Sequence, residues 1–178
     1  IKTKILFILN YFFFWIVYFV FARSFFLTYY FNKTQELDFP TILNTFTHGI
    51  QLDLSFTGYL CIIPFLINTL SILINPAKIF KFIKWYTYIV LIITTLLLFI
   101  DAGLYQSWGV RIDSSLLPYL NKPSLMIASA STFQLLSGIL GWIFISLLFI
   151  KIYNLLINKK FKNFDSRSWV EIPVFLIL

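Results

Sequence analysis

The chain has 178 residues, of which 60% are hydrophobic and 12% are charged, and its mean hydropathy is +0.87. A soluble domain carries about 25% charged residues, so this composition excludes an ordinary water-soluble protein and indicates an integral membrane protein. The net charge of +7 does not indicate nucleic-acid binding, because the basic residues lie between hydrophobic runs rather than along one surface.

Five hydrophobic runs define the predicted membrane spans. Crossing about 30 Å of hydrocarbon takes roughly 20 apolar residues in a helix, because the backbone must satisfy its own hydrogen bonds there. Four runs predict complete spans and a fifth is cut off at the last residue: about 5–22, 54–74, 85–100, 133–150 and 169–178. The predicted fold is an all-α polytopic membrane helix bundle, with residues 1–178 forming one transmembrane anchor domain and a continuation expected after Leu178.

The distribution of basic residues predicts the orientation of these spans. Short cytoplasmic connections carry an excess of Lys and Arg. With a cytoplasmic N-terminus, the inner segments hold ten basic residues: Lys2, Lys4, Lys78, Lys81, Lys84, Lys151, Lys159, Lys160, Lys162 and Arg167. The outer segments hold four: Arg23, Lys33, Arg111 and Lys122. The N-terminus is therefore predicted to be cytoplasmic, and the fifth span to run outward.

The two outer connections, residues 23–52 and 101–132, are each about thirty residues long and hold most of the polar variety. In the second, Leu116, Leu117 and Leu120 fall at helical spacing before Pro123. This pattern predicts one or two interfacial helices lying on the outer leaflet.

Four charged residues in these connections form the candidate site: a predicted outer-surface polar cluster of Asp53, Asp101, Arg111 and Asp113. Asp53 is explained equally well as the N-cap of a span that begins at residue 54. Asp101 lies at the C-terminal end of a span, where the helix dipole disfavours a carboxylate. Arg111 offers a planar donor fork to a phosphate or a carboxylate, and the alternative is a snorkelling arginine beside a solvated Asp113. Because their charges are complementary, Asp53 and Arg111 are predicted to pair, or to lie beside a shared site.

No catalytic, cofactor-binding or metal-binding residue is predicted within residues 1–178. One histidine, His48, cannot form a histidine metal cluster, and one cysteine, Cys61, excludes a disulfide framework. No span carries the central charge that marks an ion or proton pathway, which argues against a pump or coupled transporter.

Two stretches resemble a known family. They are GIQLDLSFTGYLCIIPFL (residues 49–66) and DAGLYQSWGVRIDSSLLPYLNKPSLMIASAS (residues 101–131). They are similar to the N-terminal membrane region of bacterial lipoteichoic acid synthase-like proteins, which are sulfatase-fold enzymes of the alkaline phosphatase superfamily. The more specific part is the pattern Trp-Gly-x-Arg-x-Asp, here residues 108–113, followed by the match Gly-x-x-x-Asp-Leu-Ser at residues 49–55.

The resemblance implies a five-helix anchor in the bacterial cytoplasmic membrane, followed by an extracytoplasmic domain that transfers or hydrolyses phosphate or sulfate esters. It implies a divalent metal, manganese or similar, in that later domain, and membrane lipid and that domain as partners. The alternative is a stand-alone polytopic protein, such as a small transporter or channel subunit. The sequence does not indicate the lipid donor, the acceptor or the oligomeric state.

Overall fold

The structure, a computed structural model, describes residues 2–69, 76–109, 111–112 and 131–158. These residues form helices and contain no strand: α1 (Lys2–Tyr29), α2 (Phe31–Thr34), α3 (Phe39–Thr69), α4 (Pro76–Trp108) and α5 (Thr132–Tyr153), which continues into a π-helical turn at Asn154–Asn158. Four of the helices in these described ranges are long and apolar enough to cross a membrane. The predicted all-α polytopic helix bundle with four complete spans is confirmed.

The helices extend beyond the predicted spans at several ends. Residues 23–52, predicted to connect two spans, are mostly helical, because α1 continues to Tyr29 and α3 begins at Phe39. At the other side of the bundle, α4 begins at Pro76 rather than near residue 85. Hydropathy marks only the part of a helix that requires lipid, whereas a helix continues through polar residues for as long as its backbone bonds are made. The predicted interfacial helices within residues 113–130 and the fifth span at 169–178 lie outside the described residues.

The described residues divide into two compact units, the first containing residues 2–69, 76–87 and 151–158 and the second containing residues 88–109, 111–112 and 131–150. The core of the first unit is aromatic. The ring of Tyr153 lies 6.4 Å from that of Tyr11 and 5.7 Å from that of Phe14, and the Tyr11 hydroxyl is 3.0 Å from Thr87 Oγ1. Since lipid tails are as apolar as side chains, close ring packing and interhelical hydrogen bonds of this kind hold membrane helices together.

Helix α3 contains a proline whose cost is offset by a neighbouring helix. Pro64 lies in the interior of α3 and has no N–H to donate to the carbonyl of Leu60. The hydroxyl of Tyr86, on α4, donates to that same carbonyl at 3.0 Å. A backbone acceptor freed by proline is thus satisfied from outside its helix, as a membrane interior requires.

The second unit brings α4 and α5 into close approach. A Cβ placed on Gly141 would lie 2.6 Å from Cε1 of Phe99. One residue further on, the indole N–H of Trp142 donates to the carbonyl of Ile92 at 3.0 Å. A small residue that admits an aromatic ring, next to an interhelical hydrogen bond, is a typical contact between membrane helices.

Candidate functional site: two arginine–aspartate pairs

The first pair joins α1 to α3 through Arg23 and Asp53. Nη2 of Arg23 donates to both carboxylate oxygens of Asp53, at 2.9 and 3.0 Å. Nη1 donates to the carbonyl of Thr45 at 2.6 Å and more weakly to that of Phe46 at 3.5 Å. The side chains of Arg23 and Asp53 are 17% and 11% exposed, so the charges neutralise each other in a partly desolvated place.

A glycine makes room for this arrangement. Gly49 is buried and lies one helical turn before Asp53, on the same face of α3. A Cβ at Gly49 would overlap the guanidinium of Arg23. The spacing Gly-x-x-x-Asp therefore supplies both the space for the arginine and the carboxylate that binds it.

This pair corrects the interpretation of Asp53 as an N-cap. Asp53 lies in the interior of α3, which begins at Phe39, so Asp53 does not cap that helix. The carboxylate is instead explained by the arginine that α1 brings to it. Near this level the two helices also meet through the rings of Phe19 and Phe56, whose centroids are 5.4 Å apart.

The second pair closes the chain back onto the end of α4. Asp101 is buried, and its Oδ2 accepts from Nε and Nη2 of Arg111 at 3.0 and 2.7 Å. Its Oδ1 accepts from the backbone N–H of Ile112 at 2.8 Å. The carboxylate side chain is 11% exposed and the guanidinium side chain is 66% exposed.

A glycine permits this return of the chain. Gly109 follows the last residue of α4 with φ of +72°, a conformation that favours glycine, and its N–H bonds to the carbonyl of Tyr105 at 3.0 Å. The prediction that Asp101 lies at a helix C-terminus is wrong, since α4 continues to Trp108. Because the helix ends seven residues later, the carboxylate can reach the backbone and side chains of the returning segment.

The structure therefore pairs the predicted site residues differently from the sequence-based expectation. Asp53 binds Arg23 in the first unit, and Arg111 binds Asp101 in the second. Asp113 lies outside the described residues. The sequence indicates Arg23 only as a basic residue of an outer connection, because its acceptors lie on another helix and local spacing does not identify them.

Other chemistry is sparse in the part of the chain that the structure describes. It contains no group of three or more His, Cys, Asp or Glu side chains that could hold a metal ion. The ring of His48 is exposed, with Nδ1 2.9 Å from the carbonyl of Asn44 one turn earlier. In each ion pair an arginine binds a carboxylate. The first pair holds α1 against α3, and the second holds the segment after α4 against that helix.

No protein-family model, no curated protein and no solved structure matches this chain.

Proposed function

We propose that residues 1–178 are the membrane anchor of a sulfatase-like enzyme of the bacterial cytoplasmic membrane, which transfers or hydrolyses phosphoglycerol or phosphoethanolamine groups at the outer face. The four spans support the membrane assignment. The catalytic domain, its divalent metal and its nucleophile belong to an extracytoplasmic part that the resemblance implies. Its partners are membrane lipid and that catalytic domain.

The observation that carries the proposal is that each stretch resembling the family contributes to one of the ion pairs. In the first stretch, Gly49 accommodates Arg23 and Asp53 binds it. In the second, Gly109 turns the chain and Asp101 binds Arg111. The residues that carry the resemblance are thus residues with a defined structural task, rather than incidental members of hydrophobic runs.

The charge distribution supports an outer location for both pairs. Ten of the 14 Lys and Arg residues fall on the side assigned to the cytoplasm. Under that orientation, Arg23 lies toward the outer end of α1 and Asp101 toward the outer end of α4. An enzyme that acts on lipid headgroups needs its anchor held rigidly at that surface, and an ion pair at a helix end supplies such rigidity.

The test is an assay of the intact gene product. The full-length protein, reconstituted with phosphatidylglycerol or phosphatidylethanolamine carrying a labelled headgroup and with Mn²⁺, is expected to release or transfer the label. Residues 1–178 alone are expected to give no turnover under the same conditions. An intact product that ends soon after the fifth span, or that has no sulfatase-type threonine or serine, would instead favour the stand-alone polytopic protein.

Turnover by residues 1–178 alone would contradict the assignment of these residues as a non-catalytic anchor.

A further inference from the structure

Along one exposed face of the first turns of α4, the side chains change from lysines to aromatic rings and then to aliphatic residues. The face begins with the lysines Lys78 and Lys81, both exposed, and continues with Phe82 and Trp85, which are 52% and 57% exposed. Beyond them the same face presents aliphatic side chains, including Ile89, which is 55% exposed. The spacings of three and four residues keep these side chains on one side of the helix.

The opposite face of these turns is the packed one. Ile79, Ile83 and Thr87 are buried, with 6%, 2% and 0% of their surface exposed. Nearby, Phe80 meets Phe7 of α1, with ring centroids 5.7 Å apart. The lysine and aromatic face is therefore directed away from the packed core of its unit.

The order of lysine, aromatic ring and aliphatic side chain matches the order of phosphate, glycerol and acyl chain from the surface of a leaflet to its interior. Indole rings prefer the headgroup level, and lysines beside it reach the phosphates. From Lys81 to Trp85 the helix rises about 6 Å, which is close to the depth of the interfacial layer on one side of a bilayer. Residues 76–85 contain no Asp or Glu, so no carboxylate within this segment opposes an anionic ligand.

We propose that Lys78, Lys81 and Trp85 form a binding surface for the headgroups of anionic phospholipids in the leaflet where α4 begins. The lysines bind the phosphate and the net negative charge, and Trp85 lies against the glycerol and upper acyl region. The surface selects anionic over zwitterionic lipid because only the former brings an uncompensated charge to the two ammonium groups. This proposal stands independently of the proposed function, since it requires only that α4 spans a bilayer.

Trp85 provides the measurement. The whole chain is placed in nanodiscs that contain brominated phosphatidylglycerol or brominated phosphatidylcholine, and fluorescence quenching is followed as the brominated fraction rises. The signal of Trp85 is isolated by subtracting the curve of the Trp85→Phe variant, because the chain has five Trp residues. The native chain is expected to favour the anionic lipid several-fold, with about fivefold from each lysine as the upper range.

Substitutions of the two lysines test whether the lipid preference depends on their positive charge. Lys78→Gln with Lys81→Gln is expected to bring the relative quenching by the two lipids close to one, and Lys78→Arg with Lys81→Arg to retain the preference. Lys33→Gln is the matched control, since Lys33 is an exposed lysine beyond the opposite end of α1. Added salt is expected to weaken the preference, because it screens exposed charges.

Three results would overturn the proposal: equal quenching by both lipids in the native chain, an unchanged preference in the double Gln variant, or an equal loss in Lys33→Gln. Size-exclusion elution and helical circular dichroism establish that each variant is folded before it is compared. Soluble glycerol phosphate is added as a further arm. Competition by it would show that the lysines bind free phosphate esters rather than a lipid headgroup held at the surface.

Discussion

Arg23 is the residue on which the first ion pair depends, because its guanidinium joins two side-chain oxygens and two backbone carbonyls of α3. Removing one partner of a buried pair leaves the other charge without compensation. The destabilisation by such a single substitution exceeds the net stabilisation that the intact pair gives relative to two uncharged side chains. The consequence is measurable as a coupling between the two positions.

We expect Arg23→Gln and Asp53→Asn each to destabilise the protein, by up to about 3–5 kcal/mol, which is the loss for a fully buried pair. The double variant should lose much less than the two single effects added together, because neither charge is then left alone. Thermal unfolding in detergent, followed by fluorescence, gives the three values. The control cycle uses Asp53→Asn with Arg111→Gln, whose effects should add to within about 0.5 kcal/mol. Additive effects of Arg23 and Asp53 would show that the pair is not energetically coupled.

Gly49 allows a prediction with an internal control in the same helix. Gly49→Ala should displace the guanidinium and lower the thermal stability, since the new Cβ would overlap it. Gly58→Ala should be neutral, or stabilising by up to about 1 kcal/mol, because no atom lies within 4 Å of a Cβ placed there.

An Arg23→Ala background tests the cause of the loss at Gly49. Once the guanidinium is absent, Gly49→Ala should no longer destabilise. A loss that persists in that background would place the conflict elsewhere than at the arginine.

At the scale of elements, the contact of α3 with α4 at Pro64 shows how an irregular helix position is accommodated. Tyr86→Phe removes the donor to the Leu60 carbonyl and is expected to cost about 0.6 kcal/mol, the average for interhelical hydrogen bonds in membranes, and no more than about 1.7 kcal/mol. Pro64→Ala restores an N–H to α3, so Tyr86→Phe should have almost no effect in that background. Unfolding midpoints of the four proteins test this. The control is Tyr59→Phe, at a side chain that is 71% exposed on α3.

A full effect of Tyr86→Phe in the Pro64→Ala background would show that the hydroxyl has another task.

The sequence was sufficient to predict the elements but not their ends. The runs of Leu, Ile and Phe identify four spans, because only helices with that composition are stable in lipid. Hydropathy does not reveal the helical segment from Phe39 to Asp53, since Thr41, Asn44 and Gln51 reduce hydropathy without preventing helix formation. Polarity distinguishes lipid from water, and it does not distinguish a helix from a loop.

The sequence identifies most of the charged residues of the candidate site, but it does not identify which of them bind each other. Asp53, Asp101 and Arg111 were all identified as charges at the ends of hydrophobic runs, and each makes an ion pair. Their partners depend on how α1 aligns with α3 and on where α4 ends. Neither quantity follows from local spacing, so the sequence does not identify Arg23 as the partner of Asp53 or Asp101 as the partner of Arg111.

At the scale of the whole molecule, the unequal distribution of Lys and Arg predicts a cytoplasmic N-terminus. In a Cys61→Ala background, Ser115→Cys should react with a membrane-impermeant thiol reagent added to intact cells. Lys160→Cys should react only after the membrane is permeabilised. The opposite pattern would reverse the orientation and would place both ion pairs toward the cytoplasmic side. Labelling of both positions after permeabilisation shows that each cysteine is reactive.

The position of Arg23 and Asp53 on different helices also bears on how the protein is made. During synthesis α1 reaches the membrane first, carrying near its C-terminal end a guanidinium whose hydrogen-bond acceptors lie on α3, and a charge at the edge of the hydrocarbon without its partner is costly. We expect α1 and α3 to leave the translocon together as a hairpin. Asp53→Asn should then delay the integration of α1 in a cell-free translation assay, measured as the fraction resistant to carbonate extraction. The ion pair would in that case act on the order of membrane insertion as well as on the finished fold.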